Sequence, residues 1–252
     1  MKRAALAIFL SLFAAANPFA EEIDGAAFFK TARESMKFSR DGAQINIKRA
    51  SVVPAKGLCV SVPDGEMLSI AFSNKTSMLA VGPAEFKIEA FIQGSAENSP
   101  DDNLDRESAP SNISLSLKNG RFLFSLAQRL GSSKFTVKFP NAESEIQSEI
   151  AIAETGTNGS RLIPLDGFAR IKPQDSIWEI VKDGVSAVVP AKESDKKIIF
   201  NHLYSRERER FGNFIKTAEQ LRRSVIFKYS PNAGFAAELI LPKAFFAMPI
   251  KH

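Results

Sequence analysis

From Ala43 onward the chain alternates apolar and polar residues in short runs. Ile45 and Ile47 sit among Gln44, Asn46 and Lys48, and Leu58, Val60 and Val62 alternate with Cys59 and Ser61. Leu68, Ile70 and Phe72 follow, then Met78 to Val81 and Ala84 to Phe91. After a break the pattern restarts with Ile113, Leu115 and Leu117, and continues through Phe122, Phe124 and Leu126 to Phe135, Val137 and Phe139. Ile146, Ile150 and Ile152, then Leu162 and Phe168 to Ile171, close the set. A period of two predicts strands with one buried face. Turn residues separate the runs at Pro63-Asp64-Gly65, Ser73-Asn74-Lys75, Pro140-Asn141, Asn158-Gly159 and Asp166-Gly167. Asn119-Gly120, flanked by alternating residues, predicts a two-residue hairpin. The class is mainly β: an antiparallel sandwich, or a short solenoid-like arrangement.

Two stretches have helical spacing instead. Phe28, Phe29, Ala32 and Met36 share a face after Asp24, which predicts a short capped helix over 25–37. Phe211, Phe214, Ile215, Ala218 and Leu221 form a stripe that predicts an amphipathic helix over 205–223. His202 falls just before that stripe and is expected at its helical start. Two strands around Ser230-Pro231-Asn232 follow, and the apolar end FFAMPIKH is expected to tuck onto the core. The stripe is too narrow to bury itself, so the tail is expected to pack on the sheet.

The first residues change the picture of where such a domain works. Lys2 and Arg3, an apolar run from Ala4 to Phe13 and small residues at Ala14 to Ala16 have the layout of a secretory signal peptide, cut after Ala16 or Ala20. The expected division is a leader over 1–20, a helical lead-in over 21–42, a β domain over 43–171 and a packed tail over 172–252. Within the β domain, 94–111 is rich in Asp, Glu, Pro and Ser and reads as an acidic loop insertion. Its DDNLD run lacks the glycine of a calcium loop, since the sixth position is Arg106. The expected location is the periplasm or outside the cell, with no spanning helix in the mature chain.

Charge and chemistry narrow the classes further. The formal net charge is +5, from 33 basic and 28 acidic side chains. Loss of Lys2 and Arg3 with the leader lowers it to about +3, too little for a phosphate-tracking surface, so no nucleic acid is expected. Cys59 is the single cysteine and there are two histidines, His202 and His252, which leaves no disulfide and no metal motif. No nucleophile elbow or phosphate loop occurs, and GTNGS at 156–160 reads as a turn. Trp178 and the 21 phenylalanines read as core fillers. No catalytic, cofactor-binding or metal residue is assigned.

The stretches PDGEMLSIAFSNKTSMLAVGPAEFKIEAF, NISLSLKNGRFLFSL, SKFTVKFPNAESEI and LIPLDGFARI, in that order, resemble the extracytoplasmic FecR domain over 43–171. Departures are Gln147-Ser148, where the family has Gly-Thr, and the acidic insertion. The family's sigma-contacting segment has no counterpart in Met1 to Arg3, so no sigma-regulating role is carried over. The resemblance implies a non-enzymatic binding or scaffold module that recognises an envelope protein or glycan. Alternatives are an envelope-polymer hydrolase using a carboxylate pair and a structural subunit of a surface assembly. The run Arg206-Glu207-Arg208-Glu209-Arg210 reads as a solvated helix face with local ion pairs, and its arginines, Arg206, Arg208 and Arg210, are the candidate partner-binding residues.

Overall fold

The computed structural model describes residues 21–95, 103–191 and 197–240; the leader, Asp101, Asp102 and the FFAMPIKH end lie outside them. The chain opens with short strands: β1 (Glu22–Asp24), β2 (Ala26–Phe29), β3 (Lys37–Arg40), β4 (Ala43–Ile45), β5 (Ser51–Pro54), β6 (Leu58–Val62) and β7 (Met67–Phe72). Two long ones follow, β8 (Thr76–Gly94) and β9 (Ser111–Ser125). Then come β10 (Lys134–Lys138), β11 (Ala142–Ile146), β12 (Ile150–Gly156), β13 (Gly159–Leu165) and β14 (Phe168–Pro173). The series of strands ends with β15 (Glu179–Lys182), β16 (Val185–Pro190) and β17 (Ile199–His202). Helix α1 (Ser205–Ser224) and a separate hairpin, β18 (Val225–Ser230) and β19 (Gly234–Leu239), complete it.

These strands form a sandwich of two layers that share β8 and β9. The first layer runs β5, β2, β7, the first half of β8, the second half of β9, β12, β13, β16, β17. The second runs β4, β3, β6, the second half of β8, the first half of β9, β10, β11, β14, β15, with β1 beside the end of β8. All pairs are antiparallel except β9 with β10. Four edge-on phenylalanine pairs tie the layers together: Phe29–Phe38, Phe72–Phe91, Phe86–Phe122 and Phe124–Phe135, with centroids 5.2–5.8 Å apart. Such pairs add about 0.5–1.5 kcal/mol each beyond the area they bury.

Asn119-Gly120 does not turn the chain back. It lies inside β9, where the strand bends from one layer into the other: Asn119 pairs with Glu85 in the second layer, and Gly120 pairs with Thr155 in the first. Gly120 has φ +113, and a Cβ there would lie 2.5 Å from that of Ala84. The hairpin signal was therefore a positive-φ requirement met by a bend. β8 bends opposite it, its register slipping between Val81 and Glu85.

The helix expected over 25–37 is instead β2 followed by turns. β2 is an inner strand of the first layer, between β5 and β7, and all four of its residues are buried. Phe29 faces the inter-layer core while Phe28 faces a second apolar cluster on the layer's outer side. Covered on both sides, such a strand has no polar face, and its apolar run mimics a helix. His202 likewise ends β17 and is not helical.

The second cluster is where α1 lies. Phe211, Ala218 and Leu221 are buried against Leu79, Leu123, Ile152 and Ile163, with Phe214 and Ile215 partly buried beside them. Ser77 Oγ donates to the Ala218 carbonyl at 2.7 Å. At the far end of the helix, buried Arg222 donates from Nε to Ser125 Oγ at 3.1 Å and from Nη2 to Asp105 Oδ1 at 2.8 Å. Asp105 belongs to the segment expected as a loose acidic loop. Its described part is ordered by those carboxylates: Glu107 is buried and accepts from Ser111 Oγ (2.7 Å), Ser133 Oγ (2.5 Å) and the Leu130 amide (3.1 Å). The Arg222 and Arg223 guanidiniums hold the Asp105 carboxyl below the usual range. β18 and β19 pair only with each other among the described residues, and Phe227 and Ala237 join the cluster under α1.

Candidate interaction surface

A sandwich has two open ends, where the last strands of each layer leave backbone groups unpaired. Here the ends differ. At one, β4 has three residues and β5 finishes on Pro54, while Val52 packs in the cluster shared with the tail hairpin. At the other, β15 and β17 carry large apolar side chains into solvent. Ile177 is 76% exposed, Ile180 62% and Tyr204 78%, with Phe168, Ile199 and Phe200 also exposed. Ile180 alternates with Val181 of the inter-layer core and points out of the second layer, while Ile199 alternates with Phe200, which lies opposite core Ala187, and points out of the first, so exposed apolar side chains flank this edge from both sides.

Local sequence explains how both strands reach that end. Lys182-Asp183-Gly184 makes the turn from β15 in one layer to β16 in the other, with Gly184 at φ +66 and Asp183 Oδ1 accepting the Asp166 amide at 2.8 Å. β17 then pairs with β16, with Phe200 opposite Ala187 and His202 opposite Val185. Trp178 is not a core filler. It sits half-buried beside Ile180, with Arg170 5.5 Å and Lys172 5.0 Å from its ring centroid. Those cations also meet Glu145 and Glu143, the latter at 3.7 Å, so the carboxylates of β11 are engaged by neighbouring bases.

β17 runs directly into α1, which brings Arg206, Arg208 and Arg210 to the same end. All three are exposed. The local ion pairs expected within RERER do not form. Glu207 turns inward and accepts from Arg161 Nη1 of β13 at 2.6 Å, and Arg161 also meets Glu154 at 3.3 Å. The hydrogen bond from Arg161, with Arg210 and Arg121 nearby, holds the Glu207 carboxyl below its ordinary value. Among the described residues, Arg206, Arg208 and Arg210 make no ion pair. They crowd the positive end of a helix whose N-cap, Tyr204, supplies no side-chain hydrogen bond. Cations are disfavoured there. The arrangement thus works against helix stability while concentrating positive potential beside an apolar edge.

Two further features lie elsewhere. An open pocket of about 820 Å³ is lined by Arg33, Met36, Phe38, Ile47, Lys48 and Arg49 at the capped end. Cys59 is half-exposed, facing away from Leu58, Val60 and Val62 as its alternation requires, in a depression shared with Arg40, Lys56, Lys87 and Glu89. The arginine run was visible in the sequence. The edge strands were missed, although Ile198-Ile199-Phe200 is an apolar run with strand-forming residues and Lys182-Asp183-Gly184 a turn before it.

No family model matches the chain, and no curated protein matches it. Two crystal structures of candidate anti-sigma factors from Parabacteroides distasonis are similar to it, each at 11% identity and TM-score 0.43. One comparison covers 61% of this chain and 63% of that one, the other 70% of each. The chain therefore spans less than two thirds of the first of them.

Proposed function

We propose that this chain is a non-enzymatic, FecR-like binding module of the cell envelope whose partner is another envelope protein. The observation that carries the reading is the open end of the sandwich, where β15 and β17 carry exposed apolar side chains and β17 leads directly into the helix turn that bears exposed Arg206, Arg208 and Arg210. An apolar centre with a charged rim suits a protein surface. A glycan suits it less well, because sugar-stacking platforms favour Trp and Tyr, and of those types only Trp178 and Tyr204 lie here among the described residues, beside the plain phenyl rings of Phe168 and Phe200. The export reading rests on the layout of Lys2 to Ala16, and cell fractionation of the full chain tests it: a product confined to the cytoplasm with its leader intact overturns it.

Photo-cross-linking in cells tests the partner. A photoreactive residue replacing Tyr204 or Ile180 should yield a discrete adduct, whereas the same residue replacing exposed Gln44 at the capped end should not. Equal adducts at both ends, or none at either, would remove the assignment.

A further inference from the structure

We propose that β17 receives an extended, acidic segment of that partner as an added strand of the first layer. The inference rests on the partner reading above and deepens it. Leu203 donates its amide to the Gly184 carbonyl at 2.9 Å, which fixes the phase of the β16–β17 ladder. Hydrogen-bonded pairs alternate along an antiparallel ladder, so Asn201 and Ile199 face β16 while the N–H and C=O groups of Phe200 and His202 point off the open edge. All four residues of β17 are exposed, so neither face of the strand is covered. An incoming strand completes the ladder with main-chain bonds, and its alternate side chains meet Ile199 on one face and Phe200 on the other.

Charge selects among extended segments. The flanking cations without ion pairs among the described residues are Lys182, Lys197, Arg206, Arg208 and Arg210. Against these five cations stand Glu179 and Glu209, likewise without ion pairs among the described residues, with Asp183 accepting the Asp166 amide and Glu207 held by Arg161, so free cations still outnumber free carboxylates. A second copy of the chain would bring like charge to like charge at the rim, whereas carboxylates alternating with β-branched residues satisfy cations and apolar edge together.

The probe is the blocked peptide EVEVEVEV, with KVKVKVKV as its charge-reversed control, measured by titration and by amide hydrogen exchange on the mature chain. EVEVEVEV should slow exchange at Phe200 and His202, and its affinity should fall as salt is raised through the range where the screening length shrinks to about 8 Å. His202→Pro removes an edge-facing N–H and leaves the β16 ladder intact; it should weaken binding about tenfold or more, while His202→Ala stays within about twofold. Joint substitution of Arg206, Arg208 and Arg210 by Glu should abolish the salt dependence. Equal binding of KVKVKVKV overturns the acidic character assigned to the segment, and indifference to His202→Pro, or no protection at about 1 mM peptide, overturns strand addition. Should the Tyr204 cross-link persist in the His202→Pro chain, the partner reading stands and strand addition alone fails. Loss of every cross-link in the unaltered chain removes the partner reading itself.

Discussion

The surface under α1 and the surface at the open end are built from the same kinds of side chain and meet different fates. Leu79, Leu123, Ile152 and Ile163 project from the first layer and are covered by Phe211, Ala218 and Leu221 of the same chain. Ile180, Ile199 and Phe200 project from the last strands and are covered by nothing among the described residues. The covered patch shows what the fold does with apolar surface it has no other use for: it spends a 20-residue helix on it. The charges differ in parallel. At the C-terminal half of α1, Arg222 is buried and satisfied by Ser125 and Asp105, while Arg206, Arg208 and Arg210 at the other half stay unpaired among the described residues.

The largest effect should come from breaking the covered side. Leu221→Ala leaves a cavity beneath the helix and should destabilise the chain by about 2–5 kcal/mol in denaturant titration. Arg222→Ala should follow, at about 1–3 kcal/mol, since it strips partners from Ser125 and Asp105 while its own charge disappears. At the open end, Ile180→Lys with Ile199→Lys should change stability by no more than about 0.5 kcal/mol and yet abolish the Tyr204 cross-link. A loss as large as that of Leu221→Ala would mean the two surfaces do the same structural work.

Smaller effects sharpen the contrast along α1. Glu207 has a folded-state pKa below its ordinary value, so its contribution is present above about 4.5 and fades as pH falls through the lower folded value. Melting of the unaltered chain should therefore drop more steeply below pH 4.5 than that of Glu207→Gln, compared by thermal scans at fixed ionic strength. Arg206→Glu should raise stability by about 0.3–1 kcal/mol, because it replaces a cation with an anion at the helix's positive end. A decrease would show that Arg206 has a structural role.

What the sequence disclosed follows the same division between covered and open. β6 and β10 were legible because the second layer's outer face meets water, so their exposed positions alternate with buried ones, whereas Ile146, Ile150 and Ile152, read as one alternating set, divide between β11 in the second layer and β12 in the first. β2 was illegible because both its sides are covered. The stripe from Phe211 to Leu221 marked α1, whose packing is one-sided. RERER was visible as a run, but which of its charges stay free depends on Arg161, a residue 46 positions earlier that captures Glu207. Asn119-Gly120 carried a true conformational demand and a misleading one about chain direction, since a positive φ serves a bend as well as a hairpin. β17 is four residues long, and its one local signal, the apolar run Ile198-Ile199-Phe200, is too short to separate a strand from a loop without the partner strand beside it.

The bend in β8 and β9 bears on how this molecule comes apart. Each of those strands is a single covalent beam laid through both walls of the building, so neither wall can be taken down alone. Melting of the second layer frees one half of β8 and β9, and that half is the continuation of the strands at the centre of the first. In a chain wired this way, unfolding either layer strips ladder partners from the other, so the two layers should melt at one midpoint by different probes, and separate midpoints would show them uncoupled.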